Sequence, residues 1–267
     1  MPGSAANCAP MPGEPAEDLT DDAALGGRLH LLQPRRGHRF GHDAILLAAA
    51  TPARSGDRVA DLGAGVGAAG LALACRVPGV RVTLVEIDAR LAALAQENAS
   101  RNGFAASVDA VALDVAAAAA DFVAAGLTAA SCDVVLMNPP FHDSALPASP
   151  DPRRRDAHSL KAANLVDWVA AAERLLRPGG ILTLIFRADG VPMLLDLLAG
   201  RFGAIALLPV HPKPGAAANR VLLGAVKASR GSFAILPGLV LAAADGTPSP
   251  QAEAMLRHGA ELALIAR

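Results

Sequence analysis

Apolar residues fall along the 267-residue chain in short runs separated by glycine, proline and polar punctuation. Strand-like and helix-like runs alternate, which predicts an α/β fold. Val59, Ala60 and Leu62 predict the end of a buried strand, Gly63, Gly65 and Gly67 a tight turn, and Ala68 to Arg76 a helix. Arg81 to Asp88 predicts a second strand, and Ala89 to Asn102 a helix stopped by Gly103. Ser107 to Val115 reads as a third strand, and alanine propensity extends a helix over Ala116 to Ala125. Cys132 to Met137 is a fourth strand. Asn164 to Arg177 is amphipathic, with Trp168 on its buried side, and Pro178 to Gly180 end it. Ile181 to Phe186 is the fifth strand, Val191 to Leu198 a helix, Ala204 to Val210 a strand, and Asn219 to Val226 the last. A strand, turn and strand at that end separates this pattern from an all-parallel dinucleotide-binding sheet.

The flanks are less regular. Residues 1–20 are rich in Pro, Gly and Ala and predict a disordered tail. Arg28 to Gln33 is strand-like, and Pro34 to Gly37 has turn chemistry. Asp43 is a candidate N-cap for a helix over Ala44 to Ala50. Residues 229–267 form an appendage with turns at Pro237-Gly238 and Asp245-Gly246 and a helix over Gln251 to Arg257; its role is not readable. No repeat and no linker between two cores is present. The expected organisation is one domain over 21–267, with an N-terminal cover (21–55), a core (56–228) and the appendage.

Composition narrows the partners. The formal net charge of −1 does not announce a nucleic-acid binder, although a local basic patch can serve. With aromatics at 3% and no tyrosine, a long base-stacking platform is not expected. No run approaches the ~20 strongly apolar residues of a membrane span, and the N-terminus lacks the pattern of a secretory signal. Cys8, Cys75 and Cys132 match no metal spacing and suit a reducing cytosol, so the expectation is a cytoplasmic protein without a metal.

The chemistry centres on two strand ends. Glycines after a strand let backbone approach a ligand closely, and the helix that follows presents free N–H groups. Gly65, Gly67 and Gly70 also fit the dinucleotide fingerprint, so the glycines alone do not choose a cofactor. Asp61, just before them, suits a cationic amino-acid moiety and would repel a pyrophosphate. Glu86 lies roughly 20 residues beyond the turn, where an acid binds ribose hydroxyls, and Ile87 can pack on an adenine face. Asn138-Pro139-Pro140-Phe141 follows the fourth strand directly. Its prolines fix the backbone and remove two donors, leaving the Asn138 side-chain oxygen and the Pro139 carbonyl as acceptors. Two acceptors beside a planar ring suit a planar amine, with Phe141 as a stacking face.

These motifs resemble class I S-adenosylmethionine-dependent methyltransferases. The string from Gly26 to Ala50 further resembles the bacterial tRNA1(Val) adenosine-37 N6-methyltransferases. The resemblance implies a Rossmann-like, seven-stranded, mostly parallel sheet with helices on both faces and an antiparallel last strand. It implies S-adenosylmethionine held by Asp61, Gly63, Ala64, Gly65, Gly67, Glu86, Ile87, Asp114 and Asn138, with Phe40, His42 and Asp43 lying against it. Asp114 would accept from the adenine amine, or cap the helix that follows. The family often carries tyrosine where this chain has Phe141. The implied reaction is methyl transfer to an exocyclic amine, N6 of adenine in tRNA, catalysed at Asn138, Pro139, Pro140 and Phe141.

The loop over residues 142–161 is polar and basic, and its Arg153, Arg154 and Arg155 are candidate RNA contacts, with Arg35 and Arg36 (beside Arg39) as a second cluster. Neither a metal nor a membrane nor a protein partner is implied. A protein glutamine methyltransferase, a ribosomal-RNA guanine methyltransferase, an NAD-type oxidoreductase and an inactive cofactor-binding module remain as alternatives.

Overall fold

A computed structural model of the chain describes residues 18–36, 39–140 and 165–265. It opens on an antiparallel hairpin, β1 (Leu19–Ala24) and β2 (Leu29–Pro34), closed by a 3-10 turn over Leu25–Gly27. Leu29, Leu31 and Gln33 alternate inward on β2, as a strand with one covered face requires. Leu19 and Thr20 are therefore strand residues, not the end of a disordered tail; the polar run Leu19–Ala24 hides its strand character because it is only partly buried. Residues 1–17 lie outside the described residues.

α1 (His42–Ala50) leads to β3 (Arg58–Leu62), α2 (Ala68–Arg76), β4 (Arg81–Glu86), α3 (Ala89–Arg101) and β5 (Val108–Ala112). α4 (Ala119–Ala124), β6 (Cys132–Met137), α5 (Leu165–Leu175), β7 (Leu176–Arg187) and α6 (Val191–Leu198) follow. β8 (Phe202–His211), β9 (Arg220–Lys227), the short β10 (Ala234–Ile235) and β11 (Leu239–Val240), and α7 (Pro250–His258) complete the chain.

The main sheet runs β10-β8-β9-β7-β6-β3-β4-β5, with β11 also on β8. β7, β6, β3, β4 and β5 are mutually parallel, and β9 is antiparallel to both β7 and β8. The seven expected strands are thus present, and the C-terminal segment widens the sheet at β8. Parallel strands covered on both faces need apolar residues at successive positions. β6 meets this by sending Val134 and Leu136 into one core and Val135 and Met137 into the other. The first core packs under β2, α1, α2 and the C-terminal Leu262 and Leu264. The second packs under α4, α5 and α6, with Phe122, Trp168 and Leu175.

Four local expectations change. The N-cap of α1 is Gly41, and Asp43 lies in the first turn, where its carboxylate takes Arg220 at 3.0 Å instead of the helix N–H groups. Asp114 does not cap a helix: it closes a turn, accepting from Ala116 N at 2.9 Å, and α4 starts only at Ala119. That turn also ends the third strand at Ala112 rather than Val115. Pro178 to Gly180 belong to β7, the helix having ended at Leu175, with a register shift opposite Cys132 and Val134. The C-terminal segment, whose role the sequence left unread, seals the end of α1, where Leu262 N donates to Ala49 O at 2.8 Å.

The hairpin is held by α3. Asn98, fully buried, donates from Nδ2 to Leu32 O and Val66 O and accepts at Oδ1 from Leu32 N. Asn102, one helical turn on, accepts from His30 N and donates to His30 O. Among the described residues no helix is long and apolar enough to cross a membrane.

Candidate active site

The chain runs from β3 outward to β4 and β5, then returns to the other side of β3 as β6. Strand order reverses between β3 and β6, and in open α/β sheets a crevice forms at the carboxyl ends of such strands. Leu62 pairs with Met137 as the last rung. Gly63 and Asn138 are each one residue beyond it, so the glycine turn and the Asn138-Pro139-Pro140 segment emerge side by side.

The turn needs its glycines. Gly63, Gly65 and Gly67 have φ of 67°, 56° and 88°, the left-handed region that side chains disfavour. A Cβ on Gly63 would sit 2.2 Å from Trp168 Cη2, and one on Gly67 2.9 Å from Leu84 Cδ1. A Cβ on Gly65 would meet nothing within 4 Å, so the loop presents a backbone cradle at its middle. Ala64 N is tied to Val85 O at 2.9 Å. Gly70, the third glycine of the dinucleotide pattern, has a packing role: a Cβ there would be 2.4 Å from Leu84 Cδ2.

Two carboxylates serve this loop from below. Asp61 is 2% exposed and accepts from Gly70 N at 2.8 Å, turned into the start of α2. Burial pushes its pKa up from 3.8 to about 7; the Gly70 N–H pulls it partly back, and the nearby Glu86 adds to the rise. Glu86, 8% exposed, accepts from Gly65 N at 2.8 Å with Oε2 and from Asp88 N at 3.0 Å with Oε1. It fixes the loop first, and its other lone pairs remain able to accept hydroxyls.

Beyond Glu86 lies a cavity of about 130 Å³ lined by Gly63, Val85, Ile87, Leu113, Asp114 and Val115, closed by Pro140 and Trp168. Ile87 is 53% exposed and supplies an apolar wall of this cavity. Trp168 is 6% exposed and packs with the second core, yet it also lines this cavity, and its Nε1 has no hydrogen-bond partner among the described residues. Sequence reasoning placed it in the core alone. Its neighbours in an amphipathic helix gave no sign of a site, because its place beside Gly63 arises only when α5 packs on β3. The apolar walls, the Asp114 carboxylate and the open backbone at Gly65 fit a nucleoside bearing an amino-acid tail. Asn138 is half-buried, Pro139 buried and Pro140 exposed. Phe141 lies outside the described residues, as do Arg153, Arg154 and Arg155.

Three candidates stand elsewhere. Phe40 and His42 line a second, larger cavity of about 950 Å³ rather than the one beside Trp168. Asp43 is engaged with Arg220. Their sequence positions put them at the start of α1, which packs over β7, β6 and β9. Arg35 is exposed and pairs with Asp18 at 2.7 Å, and Arg36 is exposed. Arg39 turns inward to Asp22 at 2.8 Å and to the Pro34 carbonyl.

Comparison with known proteins agrees with this geometry. Residues 39–208 match the methyltransferase small domain family. A tRNA1(Val) (adenine(37)-N6)-methyltransferase from Aeromonas hydrophila is 30% identical over 83% of this chain and 90% of its own. One of the same name from Bacteroides fragilis is 29% identical over 69% and 76%. A solved structure from Agrobacterium tumefaciens, described as a predicted O-methyltransferase, is 30% identical, covers 83% of this chain and 98% of its own, and superposes with a TM-score of 0.70.

Proposed function

Because the chain belongs to the methyltransferase small domain family and is an S-adenosylmethionine-dependent methyltransferase, we propose that it methylates an exocyclic base amine, the N6 of an adenine in tRNA. The observation that carries this reading is Asn138-Pro139-Pro140 beside the glycine turn, at the point where strand order reverses. When bound, S-adenosylmethionine supplies an electrophilic methyl group on a sulfonium. Gly63 to Gly67, Glu86, Ile87 and Asp114 are proposed to hold its nucleoside, and Asp61 to lie nearest its ammonium.

An exocyclic amine is a poor nucleophile because its lone pair conjugates with the ring. Prolines at 139 and 140 remove two backbone N–H donors from the strand tip, so Asn138 Oδ1 and the Pro139 carbonyl stand there as acceptors for an entering –NH2. Asn138 Oδ1 and the Pro139 carbonyl take its two hydrogens and turn the nitrogen lone pair toward the methyl group. As the N–C bond forms, positive charge grows on the nitrogen, and the same two oxygens offset it. With the cofactor bound, its sulfur would leave as a neutral thioether and the amine's extra proton would pass to water, so the site requires no base beforehand. Phe141 offers a ring for stacking. The base must leave its stack to enter, which costs least in a single-stranded loop. Arg153, Arg154 and Arg155, with Arg35 and Arg36, are proposed to meet RNA phosphates.

Supplying the protein with methyl-labelled cofactor and total tRNA, followed by nucleoside analysis, tests this. Label in N6-methyladenosine is expected. Label in guanosine, or only in protein glutamine, would overturn the substrate.

A further inference from the structure

The larger cavity, about 950 Å³, lies between three segments distant in sequence. They are the turn that closes the N-terminal hairpin, the residues that open α1, and the last turn of α7. Four of its lining residues are Arg28, His42, Arg257 and His258, and no acidic side chain is among the described residues that line it. Phe40, Ile45 and Leu256 give it an apolar floor.

The two arginines are set in place by a reciprocal fit. A Cβ on Gly259 would come within 2.6 Å of Arg28 Nη2, and a Cβ on Gly26 within 2.8 Å of the Arg257 carbonyl and 3.6 Å of its Cγ. Both glycines have positive φ, 66° at Gly26 and 65° at Gly259. The Arg28 guanidinium thus lies against Gly259 and the backbone of Arg257 against Gly26, which brings the two segments together at one groove lined by both arginines. Arg28 is steadied further by its Nε donating to Leu25 O at 3.2 Å. Arg257 has an exposed pairing with Glu253 at 3.4 Å, of the helical i,i+4 kind that a phosphate can displace cheaply. The opening of α1 adds its own polarity, since Gly41 caps it without a side-chain bond and the Asp43 charge is drawn off to Arg220.

The groove also faces the right edge of the sheet. Arg220 pairs in register with Arg187, at the carboxyl end of β7, and β7 runs parallel to β6. The ion pair from Asp43 to Arg220 thus places the start of α1 on the edge from which Asn138 projects.

We propose that this groove binds the sugar–phosphate backbone of the RNA substrate, outside the pocket that receives the target base. The inference rests on the reading of the substrate as RNA. Arg28 and Arg257 contact phosphates, and the apolar floor takes ribose or base. The C-terminal segment thereby supplies half of a binding surface that the β-sheet domain alone would lack.

The test measures binding of fluorescently labelled tRNA at several salt concentrations. Wild-type protein is compared with Arg28→Gln/Arg257→Gln, and with Arg257→Glu alone, an exposed substitution that leaves the Gly259 contact intact. Each phosphate contact contributes about 0.7–0.9 to the slope of log affinity against log salt. The double variant is expected to lose about one to two from that slope, and to bind about tenfold or more weakly at low salt. Arg257→Glu should weaken binding at least as much as loss of one contact. Affinity for S-adenosylhomocysteine should stay at the wild-type value in both. If wild-type protein binds and methylates tRNA while both variants show its affinity and slope, the groove is not the RNA site and the substrate reading stands. If the wild-type protein neither binds nor methylates RNA, the substrate reading fails and this inference with it.

Discussion

Replacing Asp61 by asparagine removes a buried charge and keeps the side chain's shape. The amide oxygen can still accept from Gly70 N, which lies 2.8 Å from the carboxylate. The native carboxyl is held near 7 in the folded protein against 3.8 ordinarily, with burial the largest cause. Below pH 3.8 the group is protonated folded or unfolded, and the two side chains should differ little. As pH rises from there, the unfolded chain releases the proton while the folded protein keeps it. Stability therefore falls until about pH 7 and then levels off, by a gap of about three pH units at 1.36 kcal/mol each, or about 4 kcal/mol at most. An amide at this position escapes the penalty. Ligand-free Asp61→Asn should thus melt several degrees above wild type at pH 8, and the gap should close toward pH 4. Thermal unfolding across that pH range measures it. A variant no more stable than wild type at pH 8, or one whose advantage ignores pH, would refute a buried, strained carboxylate. A cation bound beside the carboxylate would offset this cost.

Three more outcomes follow from the same geometry. Asn138→Ala should lower turnover on the order of 10²–10³-fold in single-turnover assays while S-adenosylhomocysteine binds nearly as before, and unchanged turnover would remove Asn138 from the chemistry. Trp168 is the chain's only tryptophan and tyrosine is absent, so its emission should shift when S-adenosylhomocysteine is titrated in; Gly63→Ala, whose Cβ would lie 2.2 Å from the indole, should abolish that response by displacing the ring. Asn98→Ala strips partners from Leu32 N, Leu32 O and Val66 O, at about 1–3 kcal/mol for each group left buried and unpaired. Hydrogen exchange at the Leu32 amide should then speed up, and protection equal to wild type would count against the asparagine as the hairpin's anchor.

The parallel strands were legible because burial on both faces writes itself as apolar runs: Cys132–Met137 stands where the pattern put it, as does the helix Val191–Leu198. The glycine turn was legible because its backbone conformation demands glycine at fixed positions, and Glu86 because an acid at that spacing falls beside the turn, where it accepts from Gly65 N. What escaped depended on contacts between distant segments. Leu19–Ala24 is polar and becomes a strand only because β2 pairs with it. The cap expected at Asp43 lost to Arg220, 177 residues away. Asn98 looked like any helix polar residue until β2 lay beside it. The groove between Arg28 and Arg257 joins opposite ends of the chain, and no local pattern announces it.

The pair Asn98 and Asn102 has a further consequence. Four residues of helix rise about 6.0 Å and two of strand about 6.6 Å, so the two amides fall opposite alternate residues of β2. Each presents one acceptor and one donor to the N–H and C=O of the same strand residue, His30 or Leu32. That is the pattern a neighbouring strand would offer. The β2 rim of the hairpin, which faces α3, is thus already answered by side chains, and no open ladder is left there to extend. An unprotected strand rim is a standing route to aggregation, and here a helix closes it with two amides. Losing either asparagine would loosen the hairpin and also turn that rim into an adhesive surface.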